Sequence, residues 1–294
     1  MCNQQQLAAM DRMSRRQFGK FGAVGAAGAV VACAPVDSTD GSTSGAVDGL
    51  VETNVSFAAD GGTMDGVFIH PSSGLHPAII LWPDIAGLRP AKIEMGRRMA
   101  QEGYAVFVAN PYYRSVAGQQ FTDFDDWRRN DGWNRVTPWR EVNTPEAVMA
   151  TARSVVDWLD TQDAVDSARG IGNQGYCMTG SWTIYSAAAV PGRIKAAGSF
   201  HGGGLTGDSD MAPVNLLGGL PTDASVLVAI AQDDDARAPE VKTALSAAGE
   251  AAAADVHVEV YTGDHGWTVL DSPAYDQPEA ERAWAALLAM YSAL

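Results

Sequence analysis

Ile171-Gly172-Asn173-Gln174-Gly175-Tyr176-Cys177-Met178-Thr179-Gly180-Ser181 is the stretch whose reading decides the fold. A short strand-like run turns within a few residues into a helix, and a cysteine sits on the turn. A side chain on so tight a strand-to-helix turn is pushed out of the sheet, so its neighbours must be small. Gly175 and Gly180 meet that requirement. The helix that follows opens with N–H groups that favour a thiolate and a developing oxyanion. Cys177 is therefore a candidate nucleophile. A Gly-x-Cys-x-x-Gly run also fits a buried structural cysteine at a helix start, so the choice rests on what the rest of the chain supplies.

Outward from this turn, strand and helix patterns alternate. His76 to Trp82 is a nearly continuous apolar run, as expected of a strand covered on both faces. Ala105 to Ala109, Lys195 to His201, Ser225 to Ala231 and Val256 to Tyr261 read the same way. Between them lie expected helices over 91–103, 145–159, the stretch after Cys177 to Ala189, and 239–253. Thr144-Pro145-Glu146 supplies an N-cap, a proline at the first helical position and an acid in the first turn. Val55 to Pro71 reads as antiparallel strands around Gly61-Gly62, and a last helix carries Trp284, Leu287, Leu288 and Tyr291 on one face. The expectation is an α/β fold, a mostly parallel sheet with helices on both faces. Ser115 to Asn143 is a long polar insert with Trp127, Trp133 and Trp139, of a kind that shapes or lids a pocket.

With 294 residues, 46% of them hydrophobic, the chain can bury one large core. Its formal charge of −15 argues against nucleic acid or an anionic membrane surface as the main partner. At the N-terminus, Ser14-Arg15-Arg16-Gln17-Phe18-Gly19-Lys20 precedes an uncharged run from Phe21 to Ala32. Basic, then apolar, then small is the order of an export signal, and the paired arginines resemble a twin-arginine signal. Val30-Val31-Ala32-Cys33 resembles a lipoprotein processing site that would leave Cys33 lipidated. The expected organisation is a signal over 1–32, a flexible Ser/Thr/Gly/Asp linker over 33–50 and a catalytic domain over 51–294, exported to the periplasm and tethered by lipid. Residues 1–32 carry four cations and one acid, so their removal takes the charge to −18. With Cys2 cut away and Cys33 acylated, Cys177 would be the only thiol left, and no His/Cys cluster at ligand spacing suggests a metal.

In such sheets chemistry gathers at the carboxyl ends of the strands. Asp84, Arg114, Cys177, the Asp233-Asp234-Asp235 run and His265 all fall there. Nucleophile, acid and histidine follow one another in the chain order of the α/β-hydrolases. Over about 51–294 these residues resemble the dienelactone hydrolase family. Gly175-Tyr176-Cys177 looks like its nucleophile motif, Asp84-Ile85-Ala86-Gly87 its Glu-Ile-x-Gly loop, Tyr113-Arg114 its Tyr-x-Arg run, and Asp264-His265-Gly266 its histidine loop. Thr179 replaces a usual glycine, and Asp84 is one methylene shorter than the usual glutamate.

The resemblance implies hydrolysis of an ester or lactone through a Cys-His-Asp triad and a thioester intermediate. Cys177 attacks and His265 serves as base. The acid that orients it is Asp234, favoured on the family's small-x-x-Asp start, with Asp235 as the alternative. The backbone N–H of Met178 and, by the same resemblance, of Ile85 would hold the oxyanion. Asp84 would activate the thiol or bind substrate, and Arg114 would grip a substrate carboxylate, making an anionic small molecule the expected partner. No cofactor or metal is implied, and the active unit is expected to be a monomer. His201, before three glycines, is expected to pack locally. Two other readings remain: a non-catalytic ligand-binding lipoprotein on a hydrolase fold, and a redox-sensing thiol protein.

Overall fold

A computed structural model describes residues 45–47 and 49–294. The expected signal, and Cys33 with its lipid, lie outside the described residues. Among those described, one nine-stranded sheet runs through the molecule. Its strands are β1 (Gly45–Val47), β2 (Leu50–Ala59), β3 (Gly62–Pro71), β4 (Ala78–Trp82), β5 (Ala105–Ala109), β6 (Ile171–Tyr176), β7 (Ile194–Phe200), β8 (Ser225–Ala231) and β9 (Asp255–Tyr261). They are ordered β1-β2-β3-β5-β4-β6-β7-β8-β9. From β5 to β9 all neighbours are parallel, while β1, β2 and β3 form an antiparallel edge. The three-residue β1 falls inside the stretch read from sequence as a linker.

The apolar runs explain this order. Every residue of β4, β5 and β6 is buried, because helices cover both sheet faces. On one face lie α1 (Pro90–Gln101) and, at the end of the chain, a helix over Gln277–Tyr291; Met95, Met99, Ala283, Leu287 and Tyr291 close a core with Ile79, Val106 and Phe200. The insert is partly helical, with α2 (Phe124–Arg129) and α3 (Gly132–Glu141). Then α4 (Pro145–Leu159) and α5 (Gly180–Ala189) cover the other face, where Val155, Leu159 and Ile184 pack on Ile80, Phe107 and Val228. Thr144 caps α4, accepting from the N–H of Ala147 as its sequence suggests. After α6 (Pro213–Leu216), the Asp233-Asp234-Asp235 run, expected as a loop, forms the first turn of α7 (Gln232–Arg237). Carboxylates are favourable there. Pro239–Ala251 is α8, and Gln277–Tyr291 is α9.

Strand register brings the reactive ends level. Trp82 is opposite Gly175, Tyr176 opposite Phe200, Phe200 opposite Ala229, and Ala231 opposite Tyr261. The loops after β4, β6, β7, β8 and β9 therefore leave the sheet side by side. The antiparallel edge is fastened to this body by rings: Trp158 of α4 stacks on Phe57 at 4.4 Å and lies 5.1 Å from Phe107 and 5.3 Å from Phe68. Trp158→Ala is expected to cost about 3–5 kcal/mol of stability, measured by urea unfolding.

Candidate active site

Cys177 has φ +54°, a left-handed conformation uncommon for a residue with a side chain and one that stores strain at functional sites. The neighbours that hold it there are those the sequence pointed to. A Cβ on Gly175 would lie 2.2 Å from the carbonyl oxygen of Thr179, and one on Gly180 would lie 2.4 Å from Cα of Gly202. Glycine is the residue that allows both approaches. Thr179, the departure from the family pattern, fastens the turn. Its Oγ1 accepts from the N–H of Tyr176 at 3.0 Å and lies 2.8 Å from the carbonyl of Trp82, to which it donates. The elbow after β6 is thereby tied to the end of β4. The carbonyl of Cys177 accepts from the N–H of Gly203 at 2.9 Å. The Cys177 sulfur is disulfide-bonded, and its thiol is available once that bond is reduced.

The histidine and its acid meet across two loops. His265 Nδ1 is 2.6 Å from Asp234 Oδ2, and the N–H of His265 donates to Asp233 Oδ1 at 2.8 Å. Burial alone would raise Asp234, but its bond to His265 outweighs this and holds the carboxyl below its ordinary range. Asp233 moves the other way, raised by burial and by the charge of Asp234. Arg237 takes the second oxygen of Asp234, whereas Asp235 pairs with Lys242 at 3.0 Å. Of the two acids considered, Asp234 is the one bonded to His265. His201 packs against this pair, its ring 4.8 Å from that of His265 and its Nε2 3.1 Å from Thr268 Oγ1. Burial pushes its pKa well down, so it stays neutral.

Asp84 does not serve the thiol. It is buried, with Oδ1 accepting from the N–H of Ala86 at 2.9 Å and from Arg89 at 2.8 Å, and Oδ2 taking Arg89 and Lys92 at 3.0 Å each. Its short side chain folds back on its own turn. Arg89 spends its remaining donors on Asp271, at 2.7 Å twice, and on the carbonyl of Gly87. Burial would raise Asp84, yet the two cations hold it far below the carboxylate range. Burial likewise brings Lys92 down to about 8 against the pull of Asp84. This network shapes the Asp84–Gly87 turn that carries Ile85. Tyr112 completes it, its hydroxyl donating to the carbonyl of Ile85 at 2.7 Å and lying 3.6 Å from Met178 Sδ. One hydroxyl thus touches both residues whose N–H groups are candidates for the oxyanion.

Arg114 is not presented to a substrate. Its guanidinium donates to the carbonyl and carboxylate of Asp60, to the carbonyl of Ala147 at 2.8 Å and to Thr151 Oγ1 at 2.9 Å, clamping the β2–β3 turn onto α4. A residue the sequence reading passed over lies on the insert that packs around the nucleophile. The insert packs Phe121, Phe124, Trp127 and Val136 into one apolar cluster with Ile85, Tyr112 and Cys177. Half-buried Arg140, on α3, lies 5.0 Å over Trp133 and has no ion pair among the described residues. Trp139 beside it is 5.4 Å from the ring of Tyr112. Only the density of tryptophan and arginine marked this segment in the sequence.

Two substitutions test this construction. Asp84→Asn leaves Arg89 and Lys92 buried without their shared counter-charge and is expected to cost about 3–5 kcal/mol in urea unfolding at neutral pH. The folded carboxyl sits below its ordinary value of 3.8, so its contribution is present above that value and is lost as pH falls through and below it. The acid limb of the stability profile should therefore be shallower in Asp84→Asn. Thr179→Val, which keeps the shape and removes the hydroxyl, should cost about 1–3 kcal/mol by leaving buried groups of Tyr176 and Trp82 unpaired.

The model of the dienelactone hydrolase family matches residues 64–293. Proteins named "Putative carboxymethylenebutenolidase" are similar, that of Synechocystis over half of its own length and others over most of theirs. That of Escherichia coli (strain K12) is 26% identical over 265 residues, which is 87% of this chain and 92% of the relative. That of Salmonella typhi is 24% identical over 254 residues, 83% of this chain and 88% of the relative. Among solved structures, the dienelactone hydrolase-like promiscuous phosphotriesterase P91 from metagenomic libraries superposes with a TM-score of 0.62 at 21% identity, covering 83% of this chain and 98% of that one. The dienelactone hydrolase of Anabaena variabilis gives 0.55 at 15% identity, covering 82% and 96%. At such identities the structures speak for the α/β-hydrolase fold. The family model spans most of the chain, and the chain belongs to the dienelactone hydrolase family, as a dienelactone hydrolase-like hydrolase.

Proposed function

We propose that this protein hydrolyses a small ester or lactone through a thioester on Cys177, with His265 as proton carrier and Asp234 as its orienting acid. The observation that carries the reading is a strained cysteine on the strand-to-helix elbow after β6 together with a histidine, on the loop after β9, whose Nδ1 is held by a carboxylate. Reduced Cys177 gives its proton to His265, and the resulting thiolate forms a bond to the carbonyl carbon while the carbonyl electron pair moves to oxygen. The N–H groups of Met178 and Ile85 stabilise that oxyanion, beside the apolar cluster that the insert forms around Cys177. As the tetrahedral centre collapses, the C–O bond breaks and the leaving oxygen takes a proton from His265. A water then gives its proton to His265 and attacks the thioester, releasing the acid and restoring the thiolate.

The expected anionic character of the substrate passes from Arg114 to Arg140. A half-buried guanidinium with no ion pair among the described residues, on the insert that packs over Cys177, suits a carboxylate on the substrate. The catalytic body is exported and tethered through Cys33, a reading supported by the signal-like sequence of residues 1–32.

In the presence of a thiol reductant, Cys177→Ala should lower hydrolysis of a p-nitrophenyl ester by roughly 10³-fold or more, and wild type should show a substrate-sized mass adduct on the peptide carrying Cys177. Full activity in Cys177→Ala would end the proposal. Arg140→Gln should raise KM for a carboxylate-bearing ester about 10- to 100-fold with little change for its neutral analogue; equal effects on both would return Arg140 to a structural role. For the anchor, Cys33→Ala should move the protein from the membrane fraction to the soluble fraction.

A further inference from the structure

A cavity of about 370 Å³ lies between α1 and α9, away from the insert. Neither Cys177 nor His265 lines it. Its walls are Met95 of α1, Ala283, Trp284 and Leu287 of α9, and the side chains of Tyr176 and Phe200, whose rings stack 5.3 Å apart at 18°. Its size falls in the range of about 300–1,000 Å³ typical of small-molecule sites. It is more than twice the roughly 150 Å³ that accepts a benzene ring.

The charged groups at its edge are already neutralised. Arg98 reaches from α1 to Glu281 of α9 at 2.8 Å while lying 4.1 Å over the ring of Trp284, and Glu94 is paired with Arg97 at 3.1 Å. An ion entering here would lose its water without gaining a partner, so the space suits a neutral molecule. Aromatic walls favour flat rings, and the hydroxyls of Thr268 and Tyr275 on the lining can meet one polar group.

Three lining residues also touch the catalytic apparatus. Tyr176 immediately precedes Cys177 and Phe200 immediately precedes His201. Thr268 Oγ1 is 3.1 Å from Nε2 of His201, whose ring meets that of His265 at 4.8 Å. His201 is buried, with Nδ1 lacking a hydrogen-bond partner among the described residues, and its backbone is left-handed at φ +39°. A histidine held by so few bonds responds when the one that it has is disturbed.

We propose that the cavity between α1 and α9 binds a neutral two-ring aromatic molecule bearing one hydroxyl, and that its occupancy reaches His265 through Thr268 and His201. The site is separate from the proposed acyl-transfer centre, and its test needs no turnover.

Isothermal titration of the full chain with 2-naphthol should show one site with a dissociation constant on the order of 0.1 mM. Prior reduction and alkylation of Cys177 with iodoacetamide should leave that binding unchanged. Ala283→Phe, which fills the cavity from α9, should weaken it at least about tenfold. Should that variant fold poorly, Trp284→Ala removes a half-exposed wall and should weaken binding about fivefold. In the alkylated protein, saturation should shift the imidazole NMR signals of His201 and His265. Absence of saturable binding, loss of binding on alkylation, or equal affinity in the folded variants would overturn the site. Binding with unmoved imidazole signals would overturn the coupling.

Discussion

Arg89 is fully buried and every one of its five N–H donors is used. Its two carboxylate partners come from separate parts of the chain, Asp84 from the turn after β4 and Asp271 from the loop after His265. Asp271 also accepts from the N–H of Phe124 at the start of α2. With Lys92 the cluster holds two positive and two negative charges. A buried guanidinium is tolerable only with this complete set of acceptors, so the turn carrying Ile85, the histidine loop and the insert must assemble together. The site inherits its precision from that requirement.

The elbow at Cys177 works by a different physical means. There the constraint is steric: the chain passes within contact of Gly175, Gly180 and Gly202, and the left-handed backbone of Cys177 follows. Thr179 adds a polar tie to β4, so the elbow and the Ile85 turn are held to one strand end. Two independent devices, close backbone approach on one side and a buried ion cluster on the other, converge on the space where an oxyanion would form. Preorganisation of that kind leaves little rearrangement for the reaction itself.

Much of the site was legible because its signals are local. The elbow shows in eleven consecutive residues, and His265 stands in a short loop after a recognisable strand. The choice between Asp234 and Asp235 turned on the helical geometry of Gln232–Arg237, which directs one carboxylate to His265 and the next to Lys242. Arg114 and Asp84 were placed at the right strand ends but assigned the wrong partners. Asp60 and Asp271, which occupy or complete their networks, lie 54 residues before Arg114 and 182 after Arg89, and no sequence pattern links positions so far apart.

The sequence by itself determined the fold class, the order of the strands along the chain, the elbow and the identity of the nucleophile and histidine candidates, because hydrophobic periodicity and glycine spacing act over a few residues. Tertiary structure alone decided which charges are satisfied within the protein. Arg114 and Asp84 are satisfied within the protein, Arg140 is left with no ion pair among the described residues, and Lys92 is buried to the point that its pKa falls to about 8. A charge takes its role from its surroundings in space, through burial and the partners that packing brings near, and those surroundings exist only once the chain has closed on itself.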